Sequence, residues 1–181
     1  MDTLPGARED HTTAMKIPVF VSCPTSLSPE QEACRRVVVR ELDRNNLEWR
    51  ALGRSDYPTE LPLREVLLLA KHCSGGVVLG FEQFFSPGGT WKRGTAEQRK
   101  NAGPVRFPTS WNHLEAGVLF TLGLPVLVFA EKGVTGGVFD PGVSDVFVHP
   151  MPSPSMETEA KRGLQAVFQK WQASVRTRYY Q

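Results

Sequence analysis

Cysteine is scarce in this chain: Cys23, Cys34 and Cys73 are the only three in 181 residues, with no CxxC spacing. An odd, scattered set excludes a disulfide framework and a zinc ribbon, and it predicts a reduced, cytoplasmic protein with no metal site. An excess of one charge is also lacking. Lys and Arg number 21 against 19 Asp and Glu, a formal +2. That average points to neither nucleic acid nor an anionic membrane surface as partner. Long apolar runs are missing too. The longest, residues 118–130, is interrupted by Thr121, Gly123 and Pro125 and falls short of the roughly 20 residues of a membrane span. The first residues are polar and mixed in charge, unlike an export signal. They read as a flexible leader over 1–15, ahead of one domain over 16–181, a length that buries its own core. There is no internal repeat, no GxGxxG after the first strand and no Walker A sequence.

What is present is a regular alternation of element signals. Residues 17–22 form a short β-rich apolar run closed by Cys23-Pro24-Thr25. Ser28-Pro29-Glu30-Gln31 is a helix start, with a capping serine, proline in the first turn and a glutamine three residues after the cap. Residues 47–52 alternate as an edge strand does, and Leu63, Val66, Leu67 and Ala70 mark a second helix. Residues 75–80 read as a strand buried on both faces. Residues 81–108, punctuated by glycine and proline, read as irregular. A helix from Thr109 to Gly123, a strand over 125–129, a glycine-rich loop over 133–142, a strand over 145–149 and a last helix over 155–176 complete the pattern. Leu164, Val167, Phe168 and Trp171 form the apolar stripe of that last helix. Five strands separated by helix-length segments predict an α/β, flavodoxin-like (Rossmann-like) three-layer fold with a five-stranded parallel sheet in the order 2-1-3-4-5. Ligands of such sheets sit beyond the carboxyl ends of the strands, where strand order reverses. Here that rim carries residues 22–26, with Ser22, Cys23, Thr25 and Ser26, beside residues 80–83, with Gly80, Phe81, Glu82 and Gln83.

The most informative segment is Ser110-Trp111-Asn112-His113-Leu114-Glu115-Ala116-Gly117. At 3.6 residues per turn, Trp111, Glu115, Val118 and Leu122 share one side, so Glu115 interrupts an apolar stripe. Burying an unpaired carboxylate is costly and ends in a shifted pKa or a partner. Thr109, Ser110 or an arginine of the preceding basic stretch would serve as that partner. Two readings stand side by side: a glutamate satisfied by its surroundings and the helix dipole, and a functional acid. His113 lies about 160° around the helix from Glu115 and is expected at solvent or the sheet edge.

On these residues the chain resembles two families. Trp111-x-x-x-Glu115 is similar to the WxxxE motif of TIR domains that cleave NAD. Glu115-Ala116-Gly117 followed by Leu122-Gly123-Leu124-Pro125 resembles the E-x-G…G-x-P signature of nucleoside 2-deoxyribosyltransferases, and Val19-Phe20-Val21-Ser22 fits the opening strand of both. The resemblance covers the pattern of residues 16–151. It implies a flavodoxin-like scaffold, Glu115 as the catalytic acid, and cleavage of an N-glycosidic bond in NAD or a related nucleotide. It further implies NAD or a nucleotide as substrate with no cofactor required, homo-oligomerisation, and a role in bacterial defence through a nucleotide signal. Any signalling would then pass through another effector or sensor protein or a small molecule. Departures are plain: the deoxyribosyltransferase aspartate after the first strand is replaced by Cys23-Pro24-Thr25, and Glu82 stands where further acids are usual. The basic stretch ahead of the helix belongs to neither pattern. TIR domains carry a proline- or glycine-bearing loop after the second strand, for which residues 53–62 would serve.

Breaking an N-glycosidic bond develops positive charge on the sugar, which a buried carboxylate stabilises or captures. Nicotinamide in NAD leaves as a neutral base, so one acid suffices, whereas a purine must be protonated as it leaves. One well-placed acid therefore favours NAD; a nucleoside deoxyribosyltransferase or hydrolase is the alternative, and a non-catalytic nucleotide-sensing or TIR-like module is a third. Trp111 is read either as a ring that stacks on a base or as a core aromatic. Ser22, Cys23, Thr25, Gly80, Phe81, Glu82, Trp111 and Asp140 are the expected substrate contacts, with Cys23 also weighed as a nucleophile needing a base. Lys92, Arg93, Arg99, Lys100 and Arg106, against Glu97 alone, read as a solvated loop or as neutralising a pyrophosphate.

Overall fold

The computed structural model describes residues 15–56 and 61–181. Most of the expected leader, and residues 57–60 of the expected loop after the second strand, lie outside the described residues. Strand β1 (Ile17–Ser22) leads to helix α1 (Pro29–Arg44), then β2 (Leu47–Arg50), α2 (Pro62–Lys71) and β3 (Gly76–Gly80). Four short strands follow, β4 (Phe84–Ser86), β5 (Gly89–Trp91), β6 (Arg99–Asn101) and β7 (Val105–Phe107). Helix α3 (Ser110–Thr121), β8 (Val126–Ala130), a 3-10 turn at Gly137–Phe139, β9 (Val148–Pro150) and α4 (Thr158–Tyr179) complete the chain.

The main sheet has the order β2-β1-β3-β8-β9 and every pairing in it is parallel. That is the expected 2-1-3-4-5 order. Alternate residues of the strands feed opposite layers, as the two-residue period requires. Val19, Val21, Val77, Leu79, Leu127 and Phe129 meet Val38 and Leu42 of α1 and Phe168, Trp171 and Val175 of α4. Phe20, Val78 and Val128 meet Val66, Leu69 and Ala70 of α2 and Ala116 and Leu119 of α3. Three layers result, a Rossmann-like α/β architecture. Phe20, Phe129 and Phe168 are fully buried, each contributing about 1.5–3 kcal/mol of apolar burial. No helix among the described residues is long and apolar enough to cross a membrane.

Local chemistry accounts for the element starts. Ser28 accepts from the Gln31 amide at 3.2 Å while Gln31 Oε1 accepts from the Ser28 amide at 3.1 Å, the reciprocal box its sequence predicts. Thr109 caps α3 by accepting from the Asn112 amide at 3.2 Å.

Three sequence expectations need correction. Residues 81–108 are not irregular: β4 pairs antiparallel with β7, and β5 with β6, so the segment folds back on itself as a two-stranded ribbon. Its strands are three residues each and mostly exposed, too short and too polar for a hydrophobic period to reveal. The buried stripe of α3 is Asn112, Ala116 and Leu119, not Trp111, Glu115, Val118 and Leu122. The helix is turned by about one position, which brings Trp111 and Glu115 to the edge of the sheet's carboxyl rim. The last strand is also shorter and later than expected, because residues 140–147 are taken up by turns.

Candidate active site

A cavity of about 410 Å³ opens at the carboxyl end of β1, lined by Cys23, Pro24, Thr25, Ser26, Leu52, Gly53, Pro62, Gln83, Thr109, Trp111 and Glu115. Its size lies within the roughly 300–1,000 Å³ of small-molecule sites. It lies where β1 and β3 are neighbours and the chain winds in opposite directions on either side, the position at which such sheets bind ligands.

Each wall has a local cause. Pro24 and Thr25 are held by Arg54, whose guanidinium donates to the Pro24 carbonyl at 2.7 and 3.1 Å and to the Thr25 carbonyl at 2.9 Å. Gly53 closes that wall with a φ of 73°, and a Cβ there would stand 3.2 Å from the Thr25 methyl. Thr109, the α3 cap, and Trp111, 42% exposed, form the opposite wall.

Glu115 is part-buried, but its carboxyl sits deep enough that loss of water dominates its protonation. Desolvation pushes its pKa from 4.5 to about 7, and a hydrogen bond from Ser22 offsets part of that rise. Ser22 is completely buried and is itself oriented. Asn112 Nδ2 donates to the Ser22 hydroxyl at 2.8 Å and to the Leu79 carbonyl at 3.3 Å. Thr109 Oγ1 donates to Asn112 Oδ1 at 3.1 Å. With its acceptor side occupied by Asn112, Ser22 has its proton free for Glu115. The arrangement is a relay of neutral hydrogen bonds that fixes the carboxyl without an opposing cation. No ion pair to Glu115 exists among the described residues.

The remaining sequence candidates are placed as follows. Cys23 and Thr25 line the cavity beside Trp111 and Glu115. Burial pushes the Cys23 thiol up to about 12 despite Arg54 and Arg35 nearby, so it is held as a thiol rather than a nucleophilic thiolate. Gly80 does not reach the cavity: it is buried in β3, where a Cβ would stand 2.4 Å from the Phe139 ring. Phe81 is a core residue. Glu82 turns to Arg106, 2.6 Å from Nε, and its backbone amide donates to Glu131 Oε2 at 2.6 Å. Arg106 is therefore not the partner of Glu115. Asp140 closes its own loop, accepting from Thr135 Oγ1 and the Gly136 amide, both at 2.7 Å. The loop over 133–142 packs on Arg106, Phe107 and His113 instead of lining the cavity. His113 is half-buried against Phe139 at 5.7 Å, on the side away from Glu115 but not at open solvent.

Sequence reasoning placed Gln83 at the rim and Gly53 and Pro62 in the loop after the second strand, and all three line the cavity; it passed over Leu52 as a cavity residue and Asn112 as the buried hub beneath it. Thr109 was legible as the start of a helix. Asn112 carried no local signal, since its value depends on Ser22, 90 residues earlier. No group of His, Cys, Asp and Glu among the described residues is arranged to hold a metal ion.

No family model matches this chain, and neither does any curated protein or solved structure compared with it. The fold is consistent with Rossmann-like nucleotide-binding enzymes in general.

Proposed function

We propose that this chain is an enzyme that cleaves the N-glycosidic bond of NAD or a related nucleotide, with Glu115 as the catalytic carboxylate. One observation carries the reading: a carboxyl with no ion pair among the described residues, raised to about 7, in a cavity at the switch point of the sheet. Trp111 offers its face to a base or nicotinamide, and the hydroxyls of Thr25 and Ser26 with the Gln83 amide offer hydrogen bonds to ribose. In the reaction the C1′–N bond breaks and its electron pair leaves with nicotinamide, which departs neutral. The ionised carboxylate stabilises the positive sugar, or bonds to it, until water or another acceptor adds at C1′. Ser22, set by Asn112, is a positioning residue that aims the carboxylate. Production of a nucleotide signal in bacterial defence and assembly into homo-oligomers follow from the family resemblance and form part of the same proposal.

A specific observation favours a second reading, a nucleoside deoxyribosyltransferase or hydrolase. No Lys or Arg is among the described residues lining the cavity, so no side-chain cation meets a pyrophosphate there. A carboxyl near 7 also retains a proton with which to assist a departing purine.

The test incubates concentrated protein with NAD, and separately with deoxynucleosides, and follows released base by chromatography beside Glu115→Gln. The expected result is nicotinamide release that the variant loses. Release from nucleosides alone would assign the second reading. NAD binding without turnover, unchanged in Glu115→Gln, would mark a nucleotide-sensing module.

A further inference from the structure

The ribbon from β4 to β7 takes no part in the chemistry above, and its surface is unusual. Successive side chains of a strand face opposite ways, and directly opposed residues share a face. On one face Phe84 stacks on Phe107 with centroids 6.3 Å apart, and Trp91 meets Phe107 edge-on at 5.9 Å. Arg99, in register with Trp91, lies 6.0 Å from its ring. A row of three aromatics ending in a guanidinium thus stands on a ribbon open to water, Phe84 57% and Trp91 40% exposed. Of the ribbon's five cations, Lys92 pairs with Glu97 and Arg106 with Glu82. Arg93, Arg99 and Lys100 have no acidic partner among the described residues. The near-neutral charge of the chain conceals this local excess.

We propose that the ribbon is a docking surface for single-stranded nucleic acid, whose bases stack on Trp91 and Phe84 while Arg93, Arg99 and Lys100 meet its phosphates. Both halves of the surface are needed to choose this partner. A duplex hides the base faces that the rings would contact, and an acidic peptide would answer the cations while leaving the rings in water. The root of the ribbon is also the rim of the cavity: Gln83 immediately precedes β4, and Thr109 follows β7 by two residues. A strand held on the ribbon would therefore pass close to the cavity mouth. The inference does not rest on N-glycosidic cleavage, because its test reads binding alone.

Fluorescence anisotropy with a labelled single-stranded oligonucleotide of about 12 bases measures that binding, with the matching duplex, heparin and polyglutamate as competitors. Three phosphate contacts predict about 20-fold weaker binding between about 50 and 200 mM salt. Trp91→Ala should weaken binding at least about fivefold, with Trp91→Phe restoring most of it, since stacking needs a ring and not an indole. Arg93→Glu with Lys100→Glu should abolish it. Absence of binding, preference for duplex, indifference to Trp91→Ala, or equal competition by polyglutamate would each overturn the proposal.

Discussion

Replacing Glu115 with glutamine should make the protein more stable in mild alkali than the natural sequence. In the unfolded chain the carboxyl ionises near 4.5, whereas in the folded protein desolvation holds it near 7. Folding therefore favours the protonated form. Below about pH 4.5 both states are protonated and the penalty is absent; it grows as pH rises and is complete above about 7. The difference corresponds to about 3 kcal/mol of lost stability in the ionised state. A neutral, isosteric glutamine does not ionise and escapes that loss. Urea denaturation of both proteins at about pH 5 and about pH 8.5 measures it. The variant should gain about 2–3 kcal/mol more at the higher pH than at the lower, or roughly 5–10 °C in Tm for a chain of this size. Equal stability changes at both pH values would refute the reasoning, and a variant less stable at both would mean that the carboxylate has a favourable partner. A protein that tolerates such a cost at one residue, and loses turnover when relieved of it, keeps that residue for chemistry.

Three further outcomes follow from the same geometry. If the ionised carboxylate carries the reaction, kcat/KM for NAD should rise with pH and level off above about 7, whereas a proton-donating role would make it fall over the same range. Asn112→Ala strips partners from the buried Ser22 hydroxyl and Leu79 carbonyl and should cost about 2–3 kcal/mol in urea denaturation. The Cys23 thiol, held near 12, should react with iodoacetamide at about pH 8 at least ~10-fold slower than free cysteine, measured by peptide mass mapping.

The legible part of this fold is that written in short-range pattern. The capping box of Ser28 and Gln31, the apolar strands and the stripe of α4 each lie within a few residues of sequence, and their succession determines a parallel sheet and its order. The ribbon was not legible, because three-residue strands with exposed side chains leave no apolar alternation. Nor was the facing of α3. Periodicity shows that a helix has sides, but a polar residue such as Asn112 joins the buried side only when a distant partner satisfies it.

By itself, then, the sequence determined the three-layer architecture and its strand order, and it singled out the carboxyl rim and Glu115 as candidates. Only the tertiary structure decided which neighbours that carboxylate keeps. It turned Glu82 to Arg106 and Asp140 to its own loop, and it brought Ser22, Asn112 and Thr109 together beneath the cavity. The physical reason is that a carboxyl's protonation is set by water and dipoles within a few ångströms in space, and chain separation carries almost no information about those.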